Sequence, residues 1–406
     1  MSTVHLSSSL RSTPPEVTLA RARARAPALG ISRVTDITRL DRVGIPVYAS
    51  IRPSAVPGSL CVNAGKGLRP IEAEVGAYME AIEFALAEPG AAGIATVSAT
   101  CRDVHDGHVR PEAILDFCPR QGTRVRVDAP LDCVEAEDIV TSRKALVPAE
   151  LVFIPFRPSK RHASLFGATS NGLASGNTRL EATVHGLCEV LERDIKSFEA
   201  VQDTSVPVDL DTVEGPARTL IESIREADLD LYVRTVSNAF GLAYFFAVIN
   251  DRDAFAPHLL NGGFGCHPHR SVAFVRAVAE AAQSRLSFIH GGRDDLTDVQ
   301  HRYRGWTAKR KRAFVESVVE RAARGQPVPM HAVADTSATV TSVETCEEML
   351  LERLAKLGFE RVYRVALTQP EDDLQVVRVI VPRAEMFTDT VPRLGVRLRD
   401  HASQAS

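Results

Sequence analysis

The chain has 406 residues, 45% hydrophobic and 24% charged, with a formal charge of −3. This is an ordinary globular composition, and nothing in it calls for a nucleic-acid or membrane-surface partner. No apolar run approaches a transmembrane span and the N-terminus has no signal-peptide hydrophobic region, so the expected location is the cytoplasm.

Thr18 to Ala26 reads as a short helix ended by Pro27. From Val34 onward, VTDITRL, IPVYASIRP and LCVNAG read as strands separated by turn residues. Gly65-Lys66-Gly67 then sits between strand and helix, where a phosphate-binding loop would sit, although no Walker A spacing occurs in the chain. The following helix, about Ile71 to Ala87, places Val75, Tyr78, Ile82 and Leu86 on one face, with Glu80 and Glu83 one turn apart beside them.

Residues 95 to 160 mix strand-like runs (ATVSATC, TRVRVDA, ELVFIPF) with polar loops. Asp103, His105, Asp106 and His108 fall close together there, and their spacing fits a solvated loop better than a metal site. The seven cysteines are scattered, odd in number and without a CxxC pair, which argues against a disulfide framework.

The stretch from Ser170 to Asp194 carries the strongest pattern. Asn177 and Thr178 are helix N-caps, and Glu181, His185, Glu189 and Glu192 fall within an arc of roughly 80°. Val184, Leu187, Val190 and Leu191 form a separate apolar face. Glu189 and Glu192 can share a hard cation such as Mg²⁺, while Glu181 lies about 12 Å further along the axis. Such an array suits an elongated polyanion with more than one metal; the competing reading is a solvated acidic face.

Beyond it, TLIESIREA reads as helix and LDLYVRTVS and LAYFFAVIN as strands, which continues an α/β alternation. Gly262 to His269 reads as a turn, with Cys266, His267 and His269 close together but without the spacing of zinc ligands. The helix that follows, through Ile289, has Arg276, Glu280 and Gln283 on one side and Arg285 on another. Lys309 to Arg312 is a basic run beside Trp306, either a solvated helix face or a contact for a partner protein or peptide. LQVVRVIVP supplies a last strand before a polar tail.

The pattern of Asn177, Glu181, Glu189, Glu192, Arg193 and Asp194 resembles the central signature of the YcaO family, ATP-dependent enzymes that activate peptide backbone amides, mostly in maturing ribosomally made peptides. Gly65–Glu83 and Gly263–Leu286 resemble two further family stretches, in the family's order. The resemblance implies an α/β YcaO-type fold, with mixed sheets and acidic helices surrounding a nucleotide cleft. Residues 1–58 would be an N-terminal segment contributing to the nucleotide site and 59–406 the YcaO domain. It further implies ATP and Mg²⁺, with Glu80, Glu83, Glu181, Glu189 and Glu192 serving metal and Arg11, Thr18, Lys66, Asn177, Arg193, Glu280, Gln283 and Arg285 serving nucleotide. Gly76 and Phe84 depart from the family, standing where a serine and an arginine are common. The chain ends LRDHASQAS, without the proline-rich tail of many azoline-forming relatives.

In such enzymes a nucleophile adds to the amide carbon and the resulting oxyanion takes the γ-phosphoryl group of ATP. The expected product is an azoline (thiazoline) or amidine in a ribosomally made precursor peptide. One alternative is a thioamide formed with a partner protein; another is a non-catalytic ATP-binding scaffold. A leader-binding or sulfur-transfer partner and a homodimer are compatible with the resemblance. The general base is not identified by the sequence; His185 is a candidate, with a structural hydrogen bond as the alternative.

Overall fold

The computed structural model describes all residues except 1–3, 7, 105–110, 261, 294, 297–301, 389–391 and 406. The expectation for His105, Asp106 and His108 therefore lies outside the described residues.

In chain order, β1 (Val4–Leu6) and β2 (Ser9–Arg11) form a hairpin, followed by helix α1 (Pro15–Arg25). Pro15 suits the first helical turn because its fixed φ is already helical, and Arg23 and Arg25 complement the dipole at the other end. Next come β3 (Arg33–Asp36), β4 (Val47–Ile51), β5 (Val62–Lys66) and α2 (Pro70–Ala87). Strands β6 (Val97–Thr100), β7 (Pro130–Asp138), β8 (Arg143–Pro148) and β9 (Leu173–Gly176) lead to the long helix α3 (Arg179–Val201). Then follow β10 (Val206–Asp209), α4 (Pro216–Glu226), β11 (Asp230–Thr235), β12 (Ala243–Asn250), β13 (Gly262–His267) and α5 (Arg270–His290). The last elements are α6 (Ala308–Ala323), β14 (Val328–Pro329), α7 (Val343–Lys356), β15 (Tyr363–Ala366), β16 (Gln375–Ile380) and α8 (Val396–Ala405).

These elements divide into two compact units. The first comprises residues 1–55, 60–82 and 204–342, and the second 56–59, 83–203 and 343–406. Helix α2 belongs to both, passing from one to the other between Ile82 and Glu83.

The first unit contains the antiparallel sheet β3-β4-β5 and a five-stranded sheet in the order β13-β12-β11-β10-β14. Its main core joins Phe245, Ala247 and Ile249 of β12 to Phe274, Ala277, Val278 and Ala281 of α5, with Leu220, Ile221 and Ile224 of α4 on the same cluster. Burial of such faces, at roughly 25 cal/mol per Å², is what holds α5 on its sheet.

The second unit is built on a sheet in the order β6-β7-β15-β16-β9, with β8 on β7. Helix α3 covers β9 and β16 with Leu187, Val190, Leu191 and Ile195, all buried. Asp132 of β7 fastens the following loop by accepting hydrogen bonds from the Ser159 amide at 2.7 Å and its hydroxyl at 2.8 Å.

A strand-glycine-helix device recurs. A side chain on Gly65 would strike the backbone of Ala73 and Ala77, and one on Gly265 the backbone of Ala273 and Ala277, so glycine lets each strand press against the helix that follows it. Glu80 and Glu280 each lie fifteen residues after that glycine, and Glu83 and Gln283 eighteen. A second register relates α2 to α3: Glu72 and Glu181 lie five residues after Gly67 and Gly176, Glu80 and Glu189 thirteen, Glu83 and Glu192 sixteen.

Several local expectations are corrected. Residues 123–129 form no strand, because no described segment hydrogen-bonds along them. Ala149–Leu151 is a 3₁₀ turn, and the apolar run that continues from it is buried without pairing; an apolar run signals burial, not extension. The glycine-rich Gly262–His267 segment is a strand rather than a turn. The last residues include helix α8.

Candidate functional site

On the first unit, the strand end and two helices bring together Lys66, Glu80, Glu280 and Arg293. Lys66 Nζ donates to Glu280 Oε2 at 2.9 Å. Burial raises the carboxyl pKa of Glu80, an effect opposed by the positive charges of Arg293 and Lys66 and by the Ala64 amide and Asn63. The Arg293 guanidinium is held protonated against its burial by Asp295, Glu80 and Glu280. Asn63 is fully buried and neither polar atom of its amide makes a hydrogen bond by distance and angle, although it faces Glu80 closely enough to favour the carboxylate.

On the same unit, His267 Nδ1 accepts from the His269 amide at 2.9 Å, and His269 Nε2 meets the Val340 carbonyl at 2.6 Å. Burial, then His269, Arg276 and Arg11, drive the His267 pKa well down, so its ring is neutral. All seven cysteines are free thiols.

On the second unit, the start of α3 is built by its own side chains. Thr178 Oγ1 accepts from the Glu181 amide at 3.1 Å, and Glu181 Oε2 accepts from the Asn177 amide at 2.8 Å and Nδ2 at 3.0 Å. This satisfies helix donors that have no intrahelical partner. Glu72 acts the same way in α2, accepting from the Leu68 amide at 3.2 Å. Further along α3, the Arg193 guanidinium lies 3.9 Å from both Glu189 and Glu192. Ser175 Oγ donates to Glu83 Oε1 at 2.5 Å. Arg378 of β16 is fully buried, donates to the Val152 and Asn171 carbonyls, and has its pKa lowered by burial to about 10 despite the nearby Glu189 and Glu83 charges.

The remaining expected residues are placed as follows. Gln283 is buried and donates to the Ala64 carbonyl. Arg285 is 4% exposed and binds Asp41 at 2.8 Å and Asp251 at 3.5 Å, so we assign it to structure. Thr18 donates to the Pro14 carbonyl at 3.3 Å. Arg11 ends β2 within electrostatic reach of His267. His185 is half-buried on α3. Asn63, Arg293 and Arg378 were not singled out from sequence. Only Arg378 left a signal, as a lone cation inside the apolar run LQVVRVIVP.

Among the described residues, no three His, Cys, Asp or Glu side chains cluster closely enough to hold an ion alone. That fits Mg²⁺, which is usually held by one or two carboxylates plus substrate phosphates, and the donors here are oxygen atoms. Asn63, buried and facing Glu80, and the Glu80 carboxyl, whose pKa burial raises, are polar groups that a bound cation could engage.

The family model described as YcaO cyclodehydratase, ATP- and Mg²⁺-binding, matches residues 64–385. The chain belongs to the YcaO family. This YcaO chain is 35% identical to an uncharacterised protein of Methanothermobacter thermautotrophicus over 95% of its own length and 97% of the relative's. It is 32% identical to a protein of Rhizobium leguminosarum bv. trifolii described as uncharacterised and in the tfuA 3′ region, over 95% and 91%. Its structure resembles that of YcaO from Methanopyrus kandleri bound with AMPPCP and Mg²⁺, with a TM-score of 0.71 and 26% identity over 97% of this chain and 98% of that one. It also shares the fold of a heterocyclase in complex with substrate and cofactor, at TM-score 0.76 and 20% identity, covering 97% of this chain but 55% of the other. The protein is therefore an ATP- and Mg²⁺-dependent peptide-modifying YcaO enzyme with a mixed α/β fold. No described helix is long and apolar enough to cross a membrane.

Proposed function

We propose that this enzyme replaces the oxygen of a peptide backbone amide with sulfur, forming a thioamide with the help of a separate partner protein. The observation that carries this choice of product is the full-length relative beside tfuA, because a thioamide-forming member is expected to work with a separately encoded partner.

The amide carbonyl is resonance-stabilised and a poor electrophile. Sulfide adds to the carbonyl carbon, the former carbonyl oxygen takes the γ-phosphoryl group of ATP, and phosphate departs with that oxygen to leave C=S and ADP. On the first unit, Lys66 would orient phosphate while Glu80 and Glu280 would hold Mg²⁺ or fix the cations beside it; on the second, Asn177 and Arg193 would orient phosphate while Glu83, Glu189 and Glu192 would hold Mg²⁺. Mg²⁺ supplies neutralisation of phosphate charge and orientation for in-line transfer. Glu181 shapes the loop that presents Asn177.

The test is mass spectrometry of a candidate precursor peptide incubated with the enzyme, the tfuA product, ATP, Mg²⁺ and sulfide. Exchange of oxygen for sulfur, dependent on every component, is expected. Loss of water without sulfur incorporation would instead establish an azoline or amidine product and overturn the thioamide reading.

A further inference from the structure

We propose that the N-terminal half of α6 and the segment just before it bind an acidic stretch of the peptide substrate; this rests on the reading that the enzyme modifies a peptide. Between Arg302 and Arg312 the chain carries six cations and no carboxylate. Five of them are exposed and Lys311 is half-buried. None makes an ion pair with a described residue.

The patch is nevertheless ordered. The Arg310 guanidinium lies 4.0 Å from the centre of the Trp306 ring and that of Arg312 lies 4.1 Å from the Phe255 ring. Trp306 packs against Tyr303 and Phe314 at centroid separations of 5.1 and 5.7 Å. Ring faces attract these cations without neutralising them, so the positive field stays turned outward.

The placement also works against the helix. Lys309, Arg310 and Lys311 occupy the first turn of α6, which has no acidic residue, and there they face the positive end of the helix dipole. The free protein bears an electrostatic conflict that a bound row of carboxylates removes. Departures from local preference of this kind mark surfaces kept for binding.

Charge favours a peptide over nucleic acid. With these six charges set aside, the formal charge of −3 becomes −9 for the remainder of the chain. A long polyanion running past the patch meets repulsion, whereas a short acidic segment does not. The patch also lies within reach of the chemistry. Arg293, whose charge acts on Glu80 and Glu280, precedes Arg302 by nine residues, a span of at most about 30 Å.

Trp306 is the chain's single tryptophan, so its emission reports on this face alone. Titration of the intact enzyme with a short oligo-glutamate peptide should change that emission saturably, and added salt should release the peptide. The double variant Lys309→Glu/Lys311→Glu should bind the peptide at least about tenfold more weakly, melt at a higher temperature, and bind Mg²⁺·ATP as before. An unchanged emission, salt-insensitive binding, equal affinity in the variant, or tighter binding of an oligonucleotide of matched charge would each overturn the proposal. Calorimetry of Mg²⁺·ATP on the same samples separates the two readings: nucleotide binding without peptide binding overturns the patch alone, and loss of both counts against the proposed function as well.

Discussion

Lys66 and Glu280, 214 residues apart in sequence, form a 2.9 Å ion pair at the end of β5 and the middle of α5. Both side chains are about a quarter exposed, so the pair adds little to stability. Its value lies in holding a lysine beside Glu80. Lys66→Met should weaken Mg²⁺·ATP binding about tenfold or more, the worth of one charge-assisted contact, while unfolding free energy changes by less than about 1 kcal/mol. Calorimetry and urea unfolding check both; a large stability loss with unchanged affinity would make the pair structural.

Glu80 gives a pH dependence. Burial raises its folded pKa above the ordinary 4.5, so between the two values the folded chain holds a proton that the unfolded chain does not. Stability from this group is therefore greatest at the acid end and declines as pH rises through the folded value. Mg²⁺ acts in the opposite direction, since it binds the carboxylate. Thermal melts should show Mg²⁺·ATP stabilisation growing as pH rises across that window. Glu80→Gln should flatten the effect and lower nucleotide affinity about tenfold. A pH-independent Mg²⁺ effect would remove Glu80 from the site.

Glu150 is buried at 5% exposure and accepts from the Ser164 hydroxyl and the amides of Leu165, Phe166 and Gly167. Burial opposes its charge, yet these donors together hold its pKa below the ordinary carboxylate value. Its stabilisation is complete above about pH 4.5 and is lost as pH falls through the lowered folded value. Glu150→Ala strands three amides and a hydroxyl, and should cost about 2–4 kcal/mol in urea unfolding at neutral pH. A cost below about 1 kcal/mol would mean that water replaces the carboxylate.

Arg378 spends its donors on the Val152 and Asn171 carbonyls in a fully buried position. Lysine cannot reproduce that planar fork. Arg378→Lys should destabilise the protein by about 2–4 kcal/mol and weaken Mg²⁺·ATP binding by disturbing Glu189 and Glu83, whose charges reach it. Circular-dichroism melts with and without nucleotide test this; an unaltered nucleotide-induced shift would confine Arg378 to structure.

The sequence by itself determined the local parts. Helical spacing put Glu80 one turn from Glu83 and Glu189 one turn from Glu192, and Thr178 caps α3 as its place in the sequence led us to expect, because these relations lie within one or two turns of helix. That Glu181 turns back to the Asn177 amide was not read from the sequence. The family likeness was legible in the same stretches. Tertiary structure alone decided that Lys66 meets Glu280, that Arg285 turns to Asp41, and that Arg378 is buried near Glu189. It also decided that Gly262–His267 is a strand, since glycine there serves the close approach of α5 rather than a turn. Periodicity records which face a residue occupies within its own element. Which distant element that face will meet depends on how sheets and helices pack, and burial then sets the charge each carboxylate carries.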